Sequence, residues 1–167
     1  MYHKRTDYPK IGNGGDAIHT MIYIAIIPPK QAIEAIRSAM GHYTSHMKNV
    51  ADESTWHMPL VIVPTAPPTA PLRQSFHQTV RILSIGEGEK SGSLSVRVQQ
   101  SPGLTALQAS FSKEATLCIP QIYLGSFETV PPFGILDTPL AFTLSIRELN
   151  ILQTDPYEIL GTIPITS

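Results

Sequence analysis

Two stretches of the chain share one pattern, a short β-branched run followed by a proline and then an apolar helical stripe, and this duplication most narrows the folds open to it. Ile22 to Ile27 stops at Pro28-Pro29, as a buried strand does. Ile33, Ile36, Met40 and Tyr43 then recur at helical spacing. Pro29 suits the first helical position, where its missing N–H costs nothing, and Gly41 marks the expected helix end. In the second unit Leu94, Val96 and Val98 alternate with Ser95, Arg97 and Gln99. Ser101-Pro102 then supplies an N-cap and a first-turn proline for a stripe of Leu104, Leu107 and Phe111. Each unit leads into a further strand region, Trp56 to Val63 in the first and Leu117 to Phe127 in the second. With the two prolines aligned, the closing strands are reached 28 residues after Pro29, at His57, and 19 residues after Pro102, at Gln121. The letters barely match, so the chain reads as a structural repeat of a β-α-β unit.

Further strands are expected from about His77 to Ser84, over Phe142, Leu144 and Ile146, and from Tyr157 to Ile165 after the Asp155-Pro156 turn. Between the two units, Pro64 to Pro71 holds four prolines in eight residues, an extended connector. Its Pro68-x-x-Pro71-x-Arg73 also fits a ligand of proline-binding domains, although such a pattern is common by chance. Residues 1 to 20 are polar without an apolar period and read as a flexible N-terminal extension, with residues 21 to 167 as a single domain. The Gly12-Asn13-Gly14-Gly15 cluster follows no strand and precedes no Gly-Lys-Ser/Thr, so it is read as a turn and not as a phosphate cradle.

Composition removes several function classes. With 167 residues the chain is long enough to bury a core without disulfides or a structural metal. Its one cysteine, Cys118, excludes a disulfide scaffold and multi-cysteine zinc motifs, and its apolar surroundings make it a small core residue and not a nucleophile. A net charge of −1, with no basic run longer than Lys4-Arg5, excludes non-specific coating of DNA. The longest apolar run, Met21 to Ile27, falls far short of the roughly 20 residues that cross a bilayer, so no membrane span is expected and the default compartment is the cytoplasm.

The opening strand Tyr23 to Pro28, the strand Trp56-His57-Met58-Pro59-Leu60, the strand Pro120-Gln121-Ile122-Tyr123-Leu124-Gly125, and the ending Leu149, Tyr157-Glu158-Ile159-Leu160 and Ile163-Pro164-Ile165 occur in a telling order and spacing. In these the chain resembles the two-histidine phosphoesterase superfamily, in its 2′-5′ RNA ligase-like, or RNA 2′,3′-cyclic phosphodiesterase, branch. The resemblance covers most of Met21 to Ile165. It implies an α+β fold with two pseudo-symmetric β-α-β-like lobes, mostly antiparallel sheets facing a central cleft, and helices outside. Members carry a His-x-Thr/Ser-hydrophobic motif in each lobe. Residues i and i+2 of a strand share a face, so His and Thr both reach the cleft. One histidine then acts as base and the other as acid on a cyclic phosphodiester, with hydroxyls holding the phosphate and with no metal or other cofactor.

On this resemblance His57 takes the place of the first histidine, the catalytic one, while Gln121 and Tyr123 stand at the second His and Thr positions and are the expected substrate-binding residues. Pro59 replaces the first Thr and offers neither hydroxyl nor N–H, and Gly125-Ser126 stands where many relatives place a basic residue. Gln121 cannot exchange a proton near neutral pH, and losing a general acid or base costs about 10²–10⁴ in rate. The implied function is a divergent cyclic phosphodiesterase relative, weak or inactive as a catalyst, whose partner is a nucleotide, an RNA end or a phosphorylated small molecule. Two alternatives stay open: an active phosphodiesterase in which His57 works with a substitute such as Tyr123, His77 or a bound water, and a non-catalytic interaction module with a closed cleft. Tyr23 and Tyr123 offer stacking faces for a base if they line the cleft, whereas a Tyr123 ring that fills the phosphate pocket would close it. Trp56, on the opposite strand face from His57, is expected in the core. His42 and His46, four apart, with Asp52 and Glu53 nearby, have metal-ligand spacing but read better as solvated loop residues.

Overall fold

The computed structural model describes residues 21–73, 79–111, 113–129, 134–135 and 137–166, the side chain of His42 excepted. The extension at residues 1 to 20 and His77 lie outside the described residues. The strands are β1 (Ile22–Ile26), β2 (Met47–Val50), β3 (Met58–Val63), β4 (Leu72–Arg73), β5 (Thr79–Glu87), β6 (Ser93–Val98), β7 (Thr116–Leu117), β8 (Gln121–Phe127), β9 (Thr138–Ser145), β10 (Glu148–Gln153) and β11 (Glu158–Thr166). Helix α1 (Lys30–Thr44) follows β1, and α2 (Pro102–Ala109) follows β6.

The strands form two sheets, the first ordered β4-β11-β10-β1-β3-β7 and the second β2-β8-β6-β5-β9. Among the described residues every ladder is antiparallel except the short β11–β4 pair at one edge. A pseudo-twofold relates them: β11-β10-β1-β3-β7 corresponds to β9-β5-β6-β8-β2. Two short strands cross between the sheets. β2, which follows α1, pairs with β8 of the second sheet, and β7, which follows α2, pairs with β3 of the first. The α+β architecture and the duplicated unit are as expected from the sequence, but the two halves exchange an edge strand.

Several local expectations are corrected. Helix α1 runs past Gly41 to Thr44, and Tyr43 is buried against the core. Pro29 lies one residue before the helix, its carbonyl accepting from the Ile33 N–H at 3.0 Å. The Leu117–Phe127 stretch breaks at Cys118-Ile119-Pro120 into β7 and β8, and β10 is a separate strand that the sequence reading did not mark. Pro64 to Pro71 runs without regular structure and is largely exposed. The second helix follows its sequence signal, with the Ser101 hydroxyl accepting from the Leu104 N–H at 3.1 Å.

Strand alternation explains where the core and the cleft lie. Ile24, Ile26, Met58 and Leu60 of the first sheet, and Leu94, Val96, Ile122 and Leu124 of the second, point to one continuous apolar core with Ile36, Met40 and Tyr43 of α1 and Leu104 and Leu107 of α2. The helices therefore cover the sheet faces turned away from the cleft, α1 against β5 and β9 and α2 against β3 and β5. Trp56 is buried in the same core, as expected.

Candidate functional site

The other faces of the two sheets line an open cleft of about 480 Å³. His57 and Pro59 reach it from the first sheet, and Gln121 and Tyr123 from the second. All three site residues named from the sequence thus share one cavity, on pseudo-equivalent strands. The ladder partners complete the correspondence, for Ala25 pairs with Pro59 on one side and Ser95 with Tyr123 on the other. Paired residues present their side chains on the same face, which sets Ser95 beside Tyr123 on the cleft wall.

His57 is positioned from its own neighbours in the chain. Asp52 accepts from the Ser54 N–H at 2.9 Å and from its hydroxyl at 2.7 Å, which nucleates a single 3-10 turn over Glu53–Thr55. Arg37 of α1 grips Glu53 of that turn with two nitrogens, the second at 2.7 Å. The Trp56 indole N–H is tied to the Ala51 carbonyl at 3.1 Å. So held, the Thr55 carbonyl lies 2.8 Å from His57 Nδ1. A carbonyl only accepts, so Nδ1 carries a proton and Nε2 is the nitrogen left to meet a ligand. Asp52 and Glu53 are therefore engaged in building this turn. The carboxyl of Asp52 is held below its ordinary range, chiefly by the Ser54 backbone N–H, and that of Glu53 by the Arg37 hydrogen bond. His46 lies just beyond α1, so a helical His42/His46 pair is not formed. Among the described residues no group of three His, Cys, Asp or Glu side chains is placed to hold a metal.

Aromatic rings flank the imidazole. Tyr23 and Tyr157 each lie 6.0 Å from His57, centroid to centroid. Burial pushes the Tyr157 phenol above its usual range, so it is a neutral O–H donor throughout the neutral pH region. Tyr123, 48% exposed, leaves the cleft open, which weighs against a site plugged by its ring. Lys90, from the β5–β6 turn, and Asp155, from the β10–β11 turn, bring one positive and one negative charge to the lining.

Sequence reading missed several wall residues: Ser93, Ser95, Lys90, Thr154, Asp155 and the cleft role of Tyr157. Ser93 and Ser95 carry no sequence signal, because a polar residue between apolar ones is what any half-exposed strand shows. Cys118 is buried, as expected, in a small cluster with Tyr23, Ala25 and Leu152. No described helix is long and apolar enough to cross a membrane.

The fold is shared with solved structures of E. coli LigT and of TT0787. Its solved neighbours include E. coli LigT in complex with NADP+, at a TM-score of 0.67 and 17% identity over 90% of this chain and 100% of that one. LigT with 3′-AMP aligns at a TM-score of 0.65 and 15% identity, covering 89% and 98% of the two chains. TT0787 of Thermus thermophilus aligns at 0.63 and 9% identity, covering 86% and 97%. By sequence alone, neither a protein-family model nor a curated protein matches the chain.

Proposed function

We propose that this protein is a divergent relative of the 2′-5′ RNA ligase-like cyclic phosphodiesterases, working in the cytoplasm, that binds a nucleotide, an RNA end or a phosphorylated small molecule and turns it over weakly or not at all. One observation carries the reading: an imidazole with a set tautomer faces an open cleft whose pseudo-equivalent position holds Gln121. Gln121 can donate and accept hydrogen bonds to a ligand, but it transfers no proton near pH 7. LigT, which shares the fold, has been crystallised with 3′-AMP, NADP+, ATP and phosphate. His57 and Gln121 are the phosphate-side contacts in this reading, and the half-exposed Tyr123 ring is a face on which a base stacks.

The test pairs binding with turnover. Calorimetry with adenosine 3′-monophosphate is expected to show binding that His57→Ala weakens. Hydrolysis of nucleoside 2′,3′-cyclic phosphates by the wild type is expected to stay near the His57→Ala background, at least about 10²-fold below an enzyme with both acid and base. Absence of nucleotide binding in the wild type would refute the reading. A second reading is favoured by the hydrogen bond from His57 Nδ1 to Thr55, which prepares Nε2 to act as a base: an active phosphodiesterase with a substitute acid. Turnover abolished by His57→Ala, with the position of the product phosphate identified, would establish it in place of the first.

A further inference from the structure

We propose that the hydroxyls of Ser95 and Tyr157 are the phosphoryl anchors of the cleft, taking over the role left empty by Pro59. The inference rests on the nucleotide-binding reading above and names which side chains hold the phosphate.

Both hydroxyl oxygens are shielded from solvent and have no hydrogen-bond partner among the described residues. Ser95 is 1% exposed, yet it belongs to the cleft wall, as does Tyr157. A buried hydroxyl without a partner is rare in a native protein, and it calls for an explanation. The two flank the cleft from opposite sides. Tyr157 comes from the turn between β10 and β11 of the first sheet, with its ring 6.0 Å from that of His57. Ser95 comes from β6 of the second sheet, across the ladder from Tyr123. A phosphate ester carries at least two non-bridging oxygens, each able to accept from one such donor. In the present structure the Ser95 hydroxyl is tucked against Gly88, where an added Cβ would meet it at 2.5 Å. A turn about χ1 to another staggered rotamer re-aims it.

Pseudo-symmetry explains why the donors are needed. The first-sheet pair Ala25 and Pro59 has no hydroxyl, whereas the equivalent second-sheet pair Ser95 and Tyr123 has two. The phenol of Tyr157 stays protonated and sits beside His57, not opposite it. It therefore suits donation to a phosphoryl oxygen and not proton delivery to a leaving group.

The experiment measures adenosine 3′-monophosphate and adenosine binding by calorimetry in the wild type, Ser95→Ala, Tyr157→Phe and the double variant, with melting of the unliganded proteins. A hydroxyl bonded to a charged group gives each single variant an expected loss of about tenfold to a hundredfold for the nucleotide. Adenosine affinity should not change, and the double variant should lose more nucleotide affinity than either single variant while keeping the part that His57 and Gln121 supply. Unliganded melting temperatures should stay level or rise, because each change deletes an unpaired buried hydroxyl; a purely structural role would lower them. Nucleotide affinity within twofold of wild type in either single variant, with His57→Ala still weakening it, would overturn the inference and leave the binding reading intact. A wild type that binds no nucleotide would overturn both.

Discussion

Replacing Gly125 by alanine offers a strict test of how the two halves of the fold interlock. Gly125 lies in β8 at φ +150°, a backbone region that side chains disfavour, and its Cα partner across the ladder is Val50 of the exchanged strand β2. An added Cβ would run into the Asn49 carbonyl oxygen and stand 3.1 Å from Val50 Cα. Both are backbone atoms and cannot rotate away. The conformational penalty is about 1–2 kcal/mol and overpacking adds about 1–3 kcal/mol, so about 2–5 kcal/mol in all. In a chain of 167 residues each kcal/mol moves the melting temperature by about 2–4 °C, which gives a fall of about 4–20 °C in calorimetry. Gly41→Ala is the matched control, since nothing lies within 4 Å of its added Cβ and the residue is exposed within α1. There the same methyl group should raise stability by about 0.5–1 kcal/mol. If β2 detaches instead of the whole domain unfolding, the Ala51 amide, bonded to the Leu124 carbonyl at 2.9 Å, should exchange with solvent much faster. A Gly125→Ala protein that melts within about 2 °C of wild type and keeps that amide protected would refute the crossover of β2 onto β8.

Two further predictions concern the scaffold around the cleft. The buried Gln108 side chain donates to the Leu60 carbonyl at 3.0 Å and the Cys118 carbonyl at 2.9 Å, joining α2 to β3 and to the end of β7; Gln108→Leu should cost about 1–3 kcal/mol, read as a lower denaturation midpoint, and an unchanged midpoint would show that the bridge is dispensable. Asp52 and Glu53 have depressed carboxyl pKa values in the folded protein, so the stability they add is present above the ordinary carboxylate range near about 4 and is lost as pH falls through their folded values. The double variant Asp52→Asn, Glu53→Gln should therefore show a shallower loss of melting temperature between about pH 5 and pH 2 than the wild type, and an equal slope would place the acid sensitivity elsewhere.

The parts of the fold that were legible in the sequence are those set by short-range periodicity. β1, β6 and α2 follow from apolar spacing and the Ser101-Pro102 cap, and the inward-facing Met58, Leu60, Ile122 and Leu124 follow from alternation. What was hidden depends on contacts distant in sequence. Gly41 ends no helix, because the burial of Tyr43 beyond it outweighs the modest helix penalty of one glycine. β2 has an exposed, polar pattern, Met47-Lys48-Asn49-Val50, and becomes a strand only because an edge of the other sheet is there to receive it. β7 is two residues long for the same reason. The small residue after the second motif, read from sequence only as a missing basic residue, has a positive cause in the backbone of β2 lying against Gly125.

The site was legible along strands and hidden across them. A motif is read at i and i+2 of one chain segment, and at those positions stand Pro59, without a hydroxyl, and Gln121, without a titratable proton. The cleft, however, is built by neighbours that no linear spacing connects. Ser95 stands in register with Tyr123 from 28 residues earlier in the chain, and Tyr157 arrives from the turn between β10 and β11. Along the motif positions His57 is the one imidazole. Across the sheets, the lining adds the Tyr23 and Tyr157 phenols beside His57 and the Ser95 hydroxyl beside Gln121 and Tyr123. That division sets hydrogen-bond donors on both walls of the cleft. On the proposed reading this composition favours holding a phosphate ester over cleaving one, because holding needs convergent donors, whereas general acid–base cleavage needs two groups that exchange protons, and Gln121 is not one.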